Sequence, residues 1–221
     1  MDIQKVLCLH GCCQTPEAFS SYLNSLRKIG KKKEYSIEFY FLKAPFEHPD
    51  GGFTWTNPPL NIEDIWHDKN SVHTRENALN AVLKLKKDLS ILEKSFQILE
   101  EEIEKIQPSV LLGFSQGSFV IYEYLRNRWN KKSSVKKVVA MSGYTFDNIS
   151  ENEMYDLPIL NVIHPMDIVV PPTLKFEKSK SLYLLEHNNK DLEVPCREAH
   201  RVATRNGHMR IICNFISTGS I

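Results

Sequence analysis

The chain has 221 residues, and its 28 Lys and Arg residues nearly balance 27 Asp and Glu residues, for a formal net charge of +1. This length predicts a single domain over residues 1–221 with a full hydrophobic core. A near-neutral charge without a basic, aromatic-rich patch argues against nucleic acid or an acidic membrane as a partner. With no signal-like segment and no apolar run long enough to span a bilayer, a cytoplasmic location is expected.

Apolar, strand-like runs alternate with helical stretches along the chain. This alternation predicts an α/β fold with three layers, in which helices flank a mostly parallel central sheet of about six strands, without a separate cap domain. The predicted strands are residues 6–10, 37–42, 110–113, 137–141, 159–163 and 196–200.

The loop after the first strand contains two adjacent cysteines, Cys12 and Cys13, of the five in the chain. An odd number of cysteines, two of them adjacent, favours a reduced, intracellular protein. His10, Cys12 and Cys13 match no zinc-ligand spacing, and a strand would separate their side chains. We therefore expect no metal site and no cofactor.

A long connection follows the second strand, from residue 44 to residue 72, and is rich in Gly, Pro and aromatic residues. It begins at the carboxyl edge of the sheet, where α/β proteins gather their functional groups. Phe46, Trp55 and Trp66 are therefore candidates for lining a substrate pocket. The alternative is that the loop folds back and buries its tryptophans against the body of the protein, and the two are compatible.

Two helical stretches are predicted before the third strand. Residues 74–87 form the first, an inserted helix. In the second, Ser90 and Glu93 match a capping box ahead of a periodic apolar face, which predicts a helix of about 17 residues ending at Gln107-Pro108.

Residues 113–117 read Gly-Phe-Ser-Gln-Gly and match Gly-x-Ser-x-Gly. In this motif a tight turn between a strand and a helix exposes a serine hydroxyl, and the glycines let the two elements approach closely. An apolar strand-like run precedes the motif and a helical pattern follows it, so the context agrees. Ser115 is thus the predicted nucleophile.

A nucleophilic serine needs a base and an orienting acid, which in α/β-hydrolases follow in the chain order Ser, acid, His. Asp167 lies after the strand at 159–163 and is the candidate acid, ahead of Asp156 and Glu186. His208 follows the turn dipeptide Asn206-Gly207, and a loop position suits a base. It is preferred to the other histidines downstream of Ser115, which are His164, His187 and His200.

The oxyanion hole needs two backbone N–H donors. One belongs to the residue after the nucleophile, Gln116, and the other to the loop after an early strand, where Cys12 is the candidate. Only the backbone of Cys12 is required for this role.

Several segments together resemble the fungal-type serine hydrolases, the FSH group of the α/β-hydrolase superfamily. The matching pieces, in family order, are residues 7–14, 44–45, 112–117, 141–144, 167–171 and 207–208. Two positions depart from the family pattern: His164-Pro165-Met166 precedes the acid where glycine is usual, and Asn206-Gly207-His208 replaces Gly-Gly-His.

The resemblance implies a serine esterase or thioesterase that cleaves acyl groups with a Ser-His-Asp triad through an acyl-enzyme. Its partner would be a small-molecule acyl ester or thioester, while the sequence leaves the oligomeric state open. Two alternatives remain, a non-catalytic binding module built on the same fold and an acyltransferase that uses the same residues.

Overall fold

Six parallel strands form the central sheet of the protein. The computed structural model describes residues 3–58, 88–144, 157–164, 167, 169, 180–183, 200–202 and 205–220. The sheet contains β1 (Gln4–Leu9), β2 (Ile37–Leu42), β5 (Val110–Phe114), β6 (Lys137–Met141), β7 (Ile159–Ile163) and β8 (Lys180–Tyr183), in the spatial order β2-β1-β5-β6-β7-β8. A separate antiparallel pair joins β3 (Phe46–Glu47) to β4 (Phe53–Thr54).

Helices cover both faces of this sheet. They are α1 (Pro16–Tyr22), α2 (Asn24–Gly30), α3 (Glu93–Ile106), α4 (Gln116–Asn127) and α5 (Asn206–Thr218). One core joins the sheet to α3 and α4, through residues such as Phe96 and Phe119. The opposite core joins it to α1, α2 and α5, through residues such as Phe19, Leu26 and Ile212. The predicted three-layer arrangement is confirmed.

The central strands are apolar on both sides because helices shield each face. All five residues of β5 are buried, as are four of the five in β6. Parallel pairing places Leu9 of β1 beside Gly113 of β5, and Phe114 of β5 beside Met141 of β6. The carboxyl ends of β1, β5 and β6 therefore meet at one edge of the sheet.

Five of the six predicted strands are confirmed, and the sixth, at 196–200, falls almost wholly outside the described residues. The sixth strand of the sheet is β8 (Lys180–Tyr183), which pairs with β7. His200, the final residue of the strand predicted at 196–200, lies outside any helix or strand, while residues 196–199 fall outside the described part of the chain. The strand at 196–199 therefore stays a prediction, and β8 was not among the predicted strands.

The predicted helix before β5 is confirmed, but not its capping box. Residues Leu89–Leu92 form a 3-10 turn in which the Asp88 side chain accepts a hydrogen bond from the Ser90 backbone N–H, at 2.9 Å. Helix α3 begins only at Glu93 and ends before Gln107, whose left-handed backbone has a φ of 52°. Ser90 is therefore not the helix cap.

Two further predictions fall on residues that the structure leaves undescribed. They are the inserted helix at 74–87 and the second half of the long connection that follows β2. None of the helices in the described ranges is long and apolar enough to cross a membrane. The single domain stays a prediction.

Candidate active site

Ser115 occupies a sharp turn between β5 and α4. Its backbone has φ 51° and ψ −118°, a combination that side-chain-bearing residues rarely adopt and that occurs where surrounding structure enforces it. The Ser115 N–H donates to the Met141 carbonyl at 2.9 Å, and its own carbonyl accepts from the Phe119 N–H at 3.1 Å. These two bonds hold the turn from both sides.

The two glycines of the motif are required by close backbone approach. A Cβ on Gly113 would lie 2.5 Å from the Ser118 nitrogen, and one on Gly117 would lie 2.2 Å from the Leu9 carbonyl oxygen. Both are below any real contact distance with backbone atoms. The strand β5, the helix α4 and the end of β1 can therefore pack this tightly only with glycine at both positions.

A continuous hydrogen-bonded chain links Ser115, His200 and Asp167. The His200 Nε2 lies 2.9 Å from the Ser115 Oγ, and the His200 Nδ1 lies 2.8 Å from the Asp167 Oδ2. Both ends of this chain are buried, with Ser115 9% exposed and Asp167 2% exposed. The ring of Phe114 packs beside the imidazole, with centroids 5.1 Å apart.

Asp167 lies after β7, as predicted, and its orientation is fixed by three hydrogen bonds. Its backbone N–H donates to the His164 carbonyl at 3.0 Å. Its Oδ1 accepts from the Val169 N–H at 2.9 Å, which leaves Oδ2 for His200. The alternative acids, Asp156 and Glu186, lie outside the described residues.

The structure does not bring His208 to Ser115. His208 is the third residue of helix α5, because the helix already begins at Asn206, where a turn and loop were expected. In the described part of the chain no hydrogen bond joins His208 to Ser115, and the pKa of His208 is lowered by burial and by the positive charge of Arg205. His200, which was assigned to a strand, has the position expected of the base. The sequence analysis looked for a base in an irregular segment of the chain. His200, and not His208, lies in such a segment.

The two predicted oxyanion donors belong to neighbouring segments. Gln116 is the first residue of α4, directly after Ser115, and Cys12 follows the end of β1. The close contact of Gly117 with the Leu9 and His10 carbonyls places the start of α4 against the end of β1. A helix N-terminus also presents backbone N–H groups to an anion. This arrangement is compatible with the predicted role of both residues, which stays a prediction.

The side chain of Gln116 has a role that the sequence analysis missed. It is buried, and its Oε1 accepts hydrogen bonds from the Trp55 N–H at 2.9 Å and from the Thr54 Oγ1 at 3.1 Å. Gln116 thus ties the connection after β2 to the residue that follows Ser115. No local sequence pattern predicts such a contact, because 61 positions separate Gln116 from Trp55.

Among the candidate pocket residues, Trp55 is fully buried in the core. Its indole N–H donates to the His10 carbonyl at 2.8 Å, and its carbonyl accepts from the Ser95 hydroxyl. Phe46 is half-buried in the short strand β3, paired with Thr54 of β4. Trp66 lies outside the described residues. Trp55 therefore has the placement expected in the alternative, in which the loop folds back and buries its tryptophans against the body of the protein.

His10 has a structural role at the same edge of the sheet. Its Nδ1 donates to the Gly11 carbonyl at 2.7 Å, and its Nε2 accepts from the Ala44 N–H at 3.2 Å. Burial lowers the pKa of His10, which favours the neutral ring that this donor–acceptor pair requires. His10 therefore connects the chain after β1 to the chain after β2.

Comparison with protein families agrees with this geometry. The family model described as "Serine hydrolase (FSH1)" matches residues 1–209. The chain belongs to this serine hydrolase family. It is a serine hydrolase with the α/β-hydrolase fold, as the resemblance implied. No match was found among curated proteins.

Solved structures similar to this serine hydrolase have low sequence identity to it and include esterases. Esterase PE8 has a TM-score of 0.59 at 17% identity, covering 96% of this chain and 91% of its own. SOBER1 of Arabidopsis thaliana has a TM-score of 0.54 at 17% identity, with coverages of 97% and 98%. A carboxylesterase from Mesorhizobium loti has a TM-score of 0.56 at 9% identity, with coverages of 99% and 90%. The α/β-hydrolase fold is thus shared across nearly the whole chain.

Proposed function

We propose that Ser115, His200 and Asp167 are the catalytic triad of a carboxylesterase or thioesterase that works through an acyl-enzyme. The single observation that carries the proposal is the hydrogen-bonded chain from Ser115 Oγ through both His200 nitrogens to Asp167 Oδ2. A nucleophile, a base within hydrogen-bond reach and an acid that orients the base are the three groups that acyl transfer requires.

The bonding pattern assigns each imidazole nitrogen its task. A carboxylate only accepts hydrogen bonds, so Nδ1 of His200 carries the proton that Asp167 holds. Nε2 is then the acceptor for the Ser115 hydroxyl. As Ser115 Oγ bonds to the substrate carbonyl carbon, its proton passes to His200 Nε2, and Asp167 stabilises the resulting imidazolium.

The remaining steps return the enzyme to its starting state. His200 donates the proton to the departing alcohol or thiol, which leaves Ser115 acylated. Water then gives a proton to His200 and attacks the acyl carbon, and the acid product departs as Ser115 regains its proton. Backbone N–H groups of Cys12 and Gln116 hold the oxyanion of both tetrahedral intermediates, where each donor contributes about 2.7–4 kcal/mol.

The substrate class follows from these groups and from the family. The proposed machinery acts on an acyl carbonyl with an alcohol or thiol leaving group and needs no cofactor. We place the reaction in the cytoplasm, on the strength of the odd cysteine count with adjacent cysteines.

Labelling with a fluorophosphonate probe tests the proposal directly. The wild type should become covalently labelled and should hydrolyse a series of acyl esters and thioesters, whereas Ser115→Ala should do neither. Ser21→Ala is the matched control, because Ser21 is exposed on α1 and far along the chain from the site. A folded wild type that neither labels nor turns over would instead be a binding module.

An acyltransferase would share the labelling result, so product analysis is needed to distinguish it. When a primary alcohol is added as a competing acceptor, a hydrolase should still form mainly the free acid. Predominant transfer to the alcohol at low concentration would contradict hydrolysis as the principal reaction and favour the acyltransferase.

A further inference from the structure

Three metal-ligating side chains converge beside the proposed oxyanion loop. The ligand atoms of Cys12, Cys13 and His48 all lie within 4.8 Å of one another. The two sulfur atoms are 3.6 Å apart, well beyond the length of a disulfide bond. His48 is buried, Cys12 is half-buried and Cys13 is exposed, so the cluster opens to solvent at one side.

The fold holds these two segments together. Cys13 has a left-handed backbone with φ 58°, which turns the loop after β1 back on itself. The Phe53 N–H then donates to the Gln14 carbonyl at 3.0 Å. The backbone N–H of His48 donates to the Gly52 carbonyl at 3.1 Å. His48 and the cysteines are thus fixed against each other through the hairpin of β3 and β4.

The hairpin also presses closely on the cysteine loop. A Cβ on Gly52, whose φ is 70°, would lie only 2.4 Å from the Cys13 carbonyl oxygen. Glycine is therefore required for the contact that brings His48 to Cys13. The close approach of the two segments is therefore built into the backbone.

The spacing suits a tetrahedral thiophilic cation. With Zn–S bonds of about 2.3 Å, two sulfurs on a tetrahedral zinc lie about 3.8 Å apart. The sulfurs of Cys12 and Cys13 are already at 3.6 Å. With a Zn–N bond of about 2.0–2.1 Å, a bound imidazole nitrogen lies about 3.6 Å from each sulfur. This requires a shift of at most about 1.2 Å from the observed limit of 4.8 Å.

A carboxylate stands near the imidazole, as it does around many zinc-bound histidines. The His48 Nδ1 accepts from the Asp50 N–H at 3.2 Å and lies 3.8 Å from the Asp50 Oδ2. Ligation of a metal through Nε2 requires the proton on Nδ1, so the ring would give up the Asp50 N–H bond. The Asp50 side chain is 78% exposed, and its carboxylate is free to reorient and accept a hydrogen bond from Nδ1 instead. It would compensate the positive charge of a bound cation.

We propose that Cys12, Cys13 and His48 form a binding site for Zn²⁺ or a similar thiophilic divalent cation, with water as the fourth ligand. Each thiol releases one proton to solvent when it ligates, so two thiolates neutralise the two charges of the metal. No oxidant or reductant takes part. This set differs from the His10, Cys12 and Cys13 set rejected from sequence, because His48 comes from a distant segment.

The site lies at the residue whose backbone serves the proposed reaction. Binding at the Cys12 sulfur constrains the Cys12 N–H, one of the two proposed oxyanion donors. Because the ligand atoms must move closer together on binding, we expect the Cys12 N–H to shift from its proposed oxyanion position and the bound metal to inhibit, and this part of the inference rests on the proposed function. Loss of one oxyanion donor lowers turnover by about 10²–10³, which sets the upper limit of the effect.

Zinc binding is measured first, on the full chain kept reduced with a phosphine and freed of metal by a chelator that is then removed. Competition with a chromophoric zinc indicator should give one equivalent bound by the wild type. Cys13→Ser and His48→Gln should each weaken binding by at least about tenfold, because removing even an outer-shell partner has that effect. His208→Gln is the matched imidazole control and should bind as the wild type does.

Cobalt(II), added to saturation, gives a readout of the ligating atoms rather than of affinity. The wild type should show the sulfur-to-cobalt charge-transfer band of thiolate ligation, and Cys13→Ser should lose intensity. Because Cys13 is exposed, its serine variant should keep the fold even if His48→Gln does not. Absence of zinc binding by the wild type, or equal binding by wild type and Cys13→Ser, overturns the site. A protein that forms a Cys12–Cys13 disulfide bond on oxidation and binds no zinc when reduced also overturns the site.

Inhibition is measured second. For each variant, the rate of ester hydrolysis with zinc is divided by the rate of the same variant with chelator. The ratio should fall for the wild type and stay near one for Cys13→Ser. His200→Gln should still bind zinc, which excludes the proposed base as the site. Zinc binding without a fall in rate overturns the inhibitory role alone. Zinc binding by a protein that the fluorophosphonate does not label contradicts the proposed function and leaves the metal site standing.

Discussion

The Oε1 of Gln116 accepts a hydrogen bond from the backbone N–H of Trp55, 2.9 Å away, and a second from the Thr54 hydroxyl. The residue directly after Ser115 thereby anchors the connection that follows β2. The bonds are buried, so no water replaces them when they are lost. The position of the proposed oxyanion donor and the position of the connection are coupled through one side chain.

Gln116→Ala should therefore lower both stability and turnover. Each buried donor left without an acceptor costs about 1–3 kcal/mol. Urea unfolding measures the free energy of unfolding, and ester hydrolysis measures turnover. Gln97→Ala, on the exposed side of α3, is the matched control and should change neither. A Gln116→Ala protein as stable and as active as the wild type would show that this anchor is dispensable.

His200→Ala should reduce turnover about as much as loss of Ser115, by a factor of up to about 10⁶, since triad members act as a unit. His208→Ala should stay within a few-fold of the wild type, because His208 lies in α5 without a bond to Ser115. The two variants are compared by initial rates on a short acyl ester. The reverse pattern, with His208→Ala inactive, would return the base to the residue first expected from sequence.

Asp167→Asn should lower turnover by about 10⁴-fold while keeping the fold. The asparagine carbonyl can still accept from the Val169 N–H, so the loop keeps that bond. Its NH₂ group then faces His200 Nδ1, which favours the tautomer with the proton on Nε2 and presents a donor, not an acceptor, to Ser115. Rates and circular dichroism check both statements. Activity near that of the wild type would direct attention to Asp156 or Glu186.

Trp55→Ala should act mainly on stability. Removing a fully buried tryptophan costs about 3–5 kcal/mol, so the melting temperature should fall and esters of all chain lengths should lose activity alike. Tyr22→Ala, at a side chain that is 62% exposed, is the control. A loss confined to long acyl esters, with unchanged stability, would instead make Trp55 a pocket wall, as the first of the two sequence expectations had it.

The sequence alone was enough for those features that depend on neighbouring residues. Gly113, Ser115 and Gly117 act within one turn, so their pattern predicts the strand, the turn and the helix together. The buried parallel strands are apolar along their length, and β2, β6 and β7 were predicted with their observed bounds. Asp167 was found in the same way, because the end of a parallel strand fixes which edge of the sheet a following residue reaches.

Only the tertiary structure decided which groups meet across long separations. The sequence favoured His208 over His200 as the base. The choice depends on where helix α5 begins and on how the chain approaches Ser115, 85 positions away from His200. The bonds of Gln116 to Trp55 and the meeting of Cys12, Cys13 and His48 arise from the packing of the β3–β4 hairpin against the loop after β1. Local periodicity determines on which face of a helix or strand a residue lies. The contacts made by that face depend on the packing of the whole chain.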